Sequence, residues 1–197
     1  APVEWIRGHR MARAAVEMAA WDLSARLQGV SLSERLGGVR EAVPVGVSIG
    51  LQKRDELLHE KVAGYLEEGY ARIKVKIKPG RDVEMLAGLR ERFPDARIMA
   101  DANSAYRLAD ADRLRELDAL DLMMIEQPLA YDDVWEHARL QERLETPVCL
   151  DESVKSVEGA RLALELGACR IINIKPGRVG GHASSLRIHD LLAERGL

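Results

Sequence analysis

Leu122-Met123-Met124-Ile125-Glu126-Gln127-Pro128 is the stretch that decides the fold. Four apolar residues end abruptly in a carboxylate, an amide and a proline, which reads as a short buried strand closed by a breaker. Glu126 then stands at the strand's C-terminal end. Counting outward in steps of 25 finds Asp101 behind Arg97-Ile98-Met99-Ala100 and Asp151 behind Val148-Cys149-Leu150. Two steps back, Lys76 lies within Ile73-Lys74-Val75-Lys76-Ile77, and 49 residues ahead Lys175 closes Ile171-Ile172-Asn173-Ile174. Each step has the length of one strand, one helix and their loops. Three carboxylates flanked by lysines are therefore expected at the same end of successive strands. Carboxylates gathered on one rim repel unless a cation sits among them.

The intervening residues support this alternation. Val43 to Ile49 reads as the first strand, and Arg54 to Glu68 as an amphipathic helix with Leu58, Val62, Tyr65 and Leu66 on one face. A second strand spans Arg72 to Ile77. Its helix, capped by Asp82, runs to about Phe93 before Pro94. The third strand, Arg97 to Ala100, precedes a helix carrying Leu108, Ala111, Leu114 and Leu117. Leu122 to Ile125, Pro147 to Leu150 and Cys169 to Ile174 complete six strands, with helices at 133–144, from Ser156 to Gly167, and from about Gly180 to Arg195. Ahead of the first strand, Val3 to Gln28 has helical spacing (Met11, Ala14, Ala15, Met18, Ala19) and stops at Gly29; Ser31 or Ser33 can cap a short turn after it.

Six β-α units with continuous apolar strands imply a parallel sheet covered on both faces. A doubly wound sheet builds its site from two or three loops at one switch point. Functional-looking groups on five consecutive strand ends favour instead a partial (β/α)8 TIM-type barrel, with its site at the C-terminal rim. Residues 1–40 are expected to be a helical connector and residues 41–197 an incomplete barrel. Two units short of eight, the chain is expected to be part of a longer protein.

Composition bounds the function. The chain has 197 residues, 47% hydrophobic and 31% charged, a net charge of −3 and 4% aromatic residues. No basic stripe is visible, which excludes nucleic acid as the expected partner. No run of about 18 apolar residues exists, so no membrane span is expected. Ala1-Pro2-Val3-Glu4 has neither the basic start nor the apolar core of a secretion signal, and Cys149 and Cys169 lie in strand-like runs that suit buried, reduced thiols. A cytoplasmic location is expected.

Asp101, Glu126 and Asp151 offer hard oxygen donors suited to Mg²⁺, with Mn²⁺ the alternative. Zinc is disfavoured because the five histidines show no ligand-spaced pair. Lys74 and Lys76 share one strand face and Ile73, Val75 and Ile77 the other. In a barrel the lysine face points inward, where burial and a nearby cation would lower a lysine pKa toward that of a usable base. Lysines around a divalent cation suit removal of a proton next to a carboxylate, with the metal stabilising the resulting enediolate. Gly177-Arg178-Val179-Gly180-Gly181 has the glycines to cradle a phosphate, but it lacks a nucleotide-binding pattern and reads better as a turn. Asn103 and Gln127 flank the candidate ligands as supporting partners. Trp21, Trp135 and Tyr106 read as packing residues.

Lys74-Val75-Lys76, Asp101-Ala102-Asn103, Ile125-Glu126-Gln127-Pro128, Asp151-Glu152-Ser153 and Asn173-Ile174-Lys175-Pro176-Gly177-Arg178-Val179-Gly180-Gly181 resemble motifs of the enolase superfamily, muconate-lactonizing subgroup. Within it the chain is most similar to the o-succinylbenzoate synthase and N-succinylamino acid racemase family. The resemblance implies Asp101, Glu126 and Asp151 as Mg²⁺ ligands and Lys76 as the base on one face, with Lys74 as its charged neighbour. It implies Lys175 as the acid/base opposite, or as a cation in dehydration. Ser48 and Asn103 would join Lys74 in substrate binding. A small-molecule carboxylate is the implied partner, and the full-length protein is expected to be a homo-oligomer. The family's N-terminal capping domain, apart from its trailing helical part, and its last two barrel strands are missing from the pattern. Dipeptide epimerases and muconate cycloisomerases share the barrel chemistry. A Schiff-base aldolase using Lys175 and a non-catalytic barrel fragment are the readings from other classes.

Overall fold

A computed structural model describes residues 5–197. The strands are β1 (Gly46–Ile49), β2 (Arg72–Lys76), β3 (Ile98–Asp101), β4 (Ile125–Glu126), β5 (Val148–Leu150) and β6 (Ile171–Ile172). They form one sheet in the order β1-β2-β3-β4-β5-β6, and the pairings from β1 to β5 are parallel. A doubly wound sheet reverses its strand order at a switch point. Here the order never reverses, which is the succession of part of a (β/α)8 barrel. The helices are α1 (Arg10–Gln28), α2 (Leu32–Arg35), α3 (Asp55–Glu67), α4 (Asp82–Arg92), α5 (Ala111–Arg115), α6 (Val134–Gln141), α7 (Val157–Glu165), α8 (Pro176–Val179) and α9 (His182–Ala193). Two 3₁₀ turns, Leu108–Asp110 and Glu116–Leu120, flank α5.

The chain divides into two compact units. The larger, Pro44–Ser153 with Ala163–Ile171, carries most of the strands. Its core joins Ile73 and Val75 of β2, Ile98 of β3 and Val148 and Leu150 of β5 with Leu58 and Val62 of α3, Leu86 and Leu89 of α4 and Leu140 of α6, all buried. β1 begins at Gly46 rather than Val43, and Val43 and Val45 are exposed. Pro44 has no N–H to give a ladder. β4 is two residues long where four were expected. The preceding residues still pair, because Met123 N donates to Ile98 O at 2.9 Å and Ala100 N to Met124 O at 3.1 Å. Asp121, left-handed at φ 48°, sets where that segment begins.

Asp82 does not cap α4, as expected from the sequence, but is its first residue. Its carboxylate is 1% exposed and accepts from Arg113 Nε at 2.7 Å, again from Arg113 Nη2, and from the Tyr106 hydroxyl. The loop after β3 is thereby tied to α4 and α5. Burial opposes the Asp82 charge, but these donors outweigh it and hold the carboxyl below its ordinary range. Because the folded pKa is depressed, this stabilisation is present above the unfolded value of about 3.9 and is lost as pH falls through the folded one. Arg113→Ala should leave a buried carboxylate whose remaining side-chain donor is the Tyr106 hydroxyl, beside the backbone N–H groups of Asp82 and Val83. Removing one member of a buried ion pair costs about 3–5 kcal/mol, and the partial exposure of Arg113 lowers this to roughly 2–3 kcal/mol. Denaturant unfolding of the variant at neutral pH measures that loss. A second titration at pH 3 should show a smaller difference from the parent, and an equal difference at both pH values would rule out the charge-based account.

The smaller unit comprises Ala1–Val43, Val154–Leu162 and Ile172–Leu197. The expected start of its first helix at Val3 lies outside the described residues, and α1 begins at Arg10. Ser31 caps α2 by accepting from Glu34 N at 3.0 Å. The expected last helix is α9, and the short helix α8 precedes it, with left-handed Gly180 and Gly181 making the break between them. The reason for the break lies in α1. Glu17, 4% exposed, accepts from His182 N at 2.8 Å and Ala183 N at 2.9 Å, and Trp21 Nε1 donates to it at 2.8 Å. A carboxylate at a helix N-terminus satisfies orphan amides and complements the helix dipole. A Cβ on Gly181 would lie 2.1 Å from Glu17 Oε2, so this glycine is needed for the close approach. The glycine-rich run is thus a turn whose helix N-terminus receives the chain's own carboxylate, not a phosphate.

Candidate active site

The alternation in β2 places Ile73, Val75 and Ile77 in the core, 0%, 1% and 3% exposed. Lys74 and Lys76 emerge on the opposite face, their side chains 21% and 32% exposed. Strand register then aligns the rim. Ser48 pairs with Lys74, Lys76 with Asp101, and Asp101 with Glu126. Side chains of register partners share a face, so the 25-residue phasing becomes a row of polar groups along one end of the sheet. Asp101, Glu126 and Asp151 are each 1% exposed.

The cations found among these carboxylates are ammonium groups. Lys74 Nζ lies 3.0 Å from Asp101 Oδ2 and 3.2 and 3.1 Å from the two oxygens of Glu126. Lys76 Nζ lies 2.9 Å from Asp101 Oδ2 and also donates to Asn103 Oδ1. Burial opposes the Lys74 charge, but its hydrogen bond to Asp101 and the charge of Glu126 outweigh it, so its pKa is raised. The neighbouring acids dominate burial at Lys74, whereas the expected lowering also counted a nearby divalent cation. Asp101, likewise resisted by burial, is held below the ordinary carboxylate range by Lys76 and Lys74.

Asn103 is exposed and left-handed at φ 42°. Its N–H donates to Asp101 Oδ1 at 3.2 Å, and its Nδ2 donates to Glu152 Oε1 at 3.3 Å. Asn103 therefore joins the Lys76 ammonium, the Asp101 carboxylate and the turn after β5. Sequence reading did not single out Glu152; its acidic side chain next to Asp151 was the only available signal. Ser48 is exposed on β1. Lys175 lies three residues beyond β6, exposed, at the N-cap of α8 in the smaller unit.

Among the described residues, no three His, Cys, Asp or Glu side chains converge into a ready-made metal cage. The donor chemistry nonetheless suits a hard divalent cation. Asp101, Glu126 and Asp151 are buried oxygen donors from three consecutive strand ends. Cys149 and Cys169 are buried free thiols, and burial pushes Cys169 up to about 12, too high for a thiolate ligand at neutral pH.

Parallel β/α units in sequential order, with acids and lysines on their C-terminal ends, define a barrel enzyme class. The chain belongs to the enolase C-terminal domain-like family, which residues 57–197 match. Residues 3–37 match the mandelate racemase / muconate lactonizing enzyme N-terminal domain. The chain is 58% identical over 192 residues to an o-succinylbenzoate synthase of Geobacillus kaustophilus, covering 98% of this chain and 51% of that protein. It is 56% identical over 191 residues to an N-succinylamino acid racemase of Thermus thermophilus, covering 97% and 52%. A solved structure of a probable mandelate racemase from Alicyclobacillus acidocaldarius superimposes with a TM-score of 0.95 at 47% identity, covering 99% of this chain and 51% of that one. The chain spans about half the length of these relatives, consistent with part of a barrel.

Proposed function

We propose that the full-length protein removes the proton next to a substrate carboxylate to give an enediolate, acting as an o-succinylbenzoate synthase, an N-succinylamino acid racemase, or both. The observation that carries this reading is the row of Lys74, Lys76, Asp101 and Glu126 on adjacent strand ends, with two buried carboxylates engaged by two ammonium groups. The names of the relatives at 58% and 56% identity supply the substrate class.

Asp101, Glu126 and Asp151 would hold Mg²⁺, with Mn²⁺ able to replace it. The ion would supply positive charge where negative charge develops on the substrate carboxylate. Lys76 is proposed as the base. Asp101 and Asn103 fix its Nζ, and a fixed base meets the carbon-bound proton without searching for it. Lys74, whose pKa is raised, stays cationic and serves to bind an anionic substrate group. Ser48, register partner of Lys74, and Asn103 would complete the substrate contacts. Lys175 is proposed to return a proton to the opposite face in racemisation, or to offer positive charge in dehydration. In dehydration, the proton taken by Lys76 balances the departing hydroxide, which leaves as water.

The test uses the full-length protein in deuterium oxide, with N-succinylamino acids followed by NMR and o-succinylbenzoate formation followed optically. Exchange of the α-proton should require Mg²⁺, stop on chelation and return when Mg²⁺ is restored. Exchange undiminished by chelation would sink the proposal. Borohydride trapping of substrate on Lys175 would replace it with Schiff-base chemistry.

A further inference from the structure

Gln127 directly follows Glu126, and its side chain is 0% exposed. Its backbone is left-handed at φ 41°, a conformation rare outside glycine that a surrounding structure must enforce. The enforcing contacts are present. Gln127 N donates to Cys149 O at 2.8 Å, and Gln127 O accepts from Ser104 N at 2.7 Å. The amide is also satisfied at both ends. Oε1 accepts from Asp151 N at 3.0 Å and from Ser153 N at 3.2 Å. Nε2 donates to Ser153 Oγ at 2.7 Å and to Leu129 O at 3.2 Å. Behind it sits His137, also 0% exposed, whose Nε2 accepts from Leu129 N at 3.1 Å and whose Nδ1 donates to Asp133 O at 2.5 Å. Those two bonds fix the tautomer with the proton on Nδ1. One residue thus touches the loops after β3, β4 and β5, from which Asp101, Glu126 and Asp151 arise.

We propose that Gln127 is the positioning residue of the three-carboxylate rim: its amide clamps the Asp151–Ser153 turn against the Glu126 strand end and so sets where the Asp151 carboxylate is presented. This rests on the assignment of Asp101, Glu126 and Asp151 as cation ligands made above. A core plug of similar size would fill the same space but would leave the Asp151 and Ser153 N–H groups without an acceptor. The function of Gln127 therefore lies in its acceptor oxygen.

The experiment compares Gln127→Met, which keeps the volume and loses the hydrogen bonds, with Gln127→Glu, which keeps an acceptor oxygen for Asp151 N and Ser153 N and replaces the Nε2 donor with a second oxygen. Leu140→Val, at a buried position of α6 outside this network, is the control for simple loss of core packing. Two quantities are read on the full-length protein without substrate: Mn²⁺ affinity by electron paramagnetic resonance, and hydrogen exchange of the segment after β5 by mass spectrometry. Gln127→Met should exchange there at least about tenfold faster and bind Mn²⁺ at least about tenfold more weakly, in the range typical of lost ligand-supporting contacts. Gln127→Glu should recover most of both, and Leu140→Val should change neither. Should Gln127→Met fail to fold, Ser153→Ala, which removes one acceptor of Nε2 at a partly exposed position, must shift both quantities in the same direction. Faster exchange with unchanged Mn²⁺ affinity would overturn the positioning role and leave the proposed chemistry intact. A parent protein that does not bind Mn²⁺ saturably would remove both.

Discussion

Lys76→Ala in the full-length protein should stop net racemisation and lower dehydration by at least about 10²–10⁴, the usual contribution of a positioned acid–base group. The expectation follows from where its ammonium is held. Lys76 Nζ is anchored 2.9 Å from Asp101 Oδ2 and bonded to Asn103 Oδ1. Lys74 is only two residues away on the same face, but Asp101 and Glu126 hold its proton tightly, so it is a poor substitute base. The proposed roles divide the labour. In racemisation one lysine removes the proton and the other replaces it, so Lys175→Ala should stop net racemisation as completely as Lys76→Ala. Each single variant should still exchange the α-proton of one enantiomer with deuterium oxide through the lysine that remains, and the two variants should prefer opposite enantiomers. In dehydration the losses should be unequal, because Lys76 is the sole base there and Lys175 contributes only charge. The measurement is NMR of α-proton exchange for each enantiomer on each variant. Full racemase activity in Lys76→Ala, or the same enantiomer preference in both variants, would show the assignment to be wrong.

The strand ends were legible in the sequence because they obey one simple rule. A short apolar run needs a breaker, and a barrel repeats it every β-α unit, so Asp101, Glu126 and Asp151 came into phase from spacing alone. Register then confirmed the shared face for Asp101 and Glu126. Strand lengths were less legible, because apolar composition continues past the point where the ladder stops. β6 spans only Ile171–Ile172 where six residues were expected. The N-terminus of the last helix is met by Glu17, 165 residues before His182, and no local pattern signals such a contact. Gln127 was legible only as a supporting partner of the candidate ligands; the groups its amide binds, like those of the His137 imidazole, were opaque for the same reason. Each looks locally like a loop glutamine or a helical histidine, and only tertiary structure brings their partners to them. The expected lowering at Lys74 weighed burial and a divalent cation, and the two acids beside the ammonium act in the opposite direction. Sequence-level rules are expected to fail most at sites built for function, where several groups share one environment.

Glu126→Gln tests whether the acid cluster exists for function rather than stability. Glu126 is 1% exposed and shares the Lys74 ammonium with Asp101. If the three carboxylates were structural, removing one charge would break a buried ion pair and cost several kcal/mol. The local balance argues otherwise. Lys74 keeps Asp101 at 3.0 Å when Glu126 is neutral, so its ammonium is not left without a carboxylate. The glutamine preserves shape and one acceptor oxygen. Its folded state should therefore melt within a few degrees of the parent in the absence of added metal, or above it, since functional sites are commonly held at some cost in stability. Mg²⁺ affinity should fall by at least about 100-fold, beyond the loss typical of an outer-shell change, and both racemisation and dehydration should disappear. Calorimetry in chelator, Mn²⁺ titration and α-proton exchange read these three quantities separately. A variant that melts many degrees lower while keeping its metal affinity and turnover would make Glu126 a structural acid and would move the candidate cation site elsewhere on the rim.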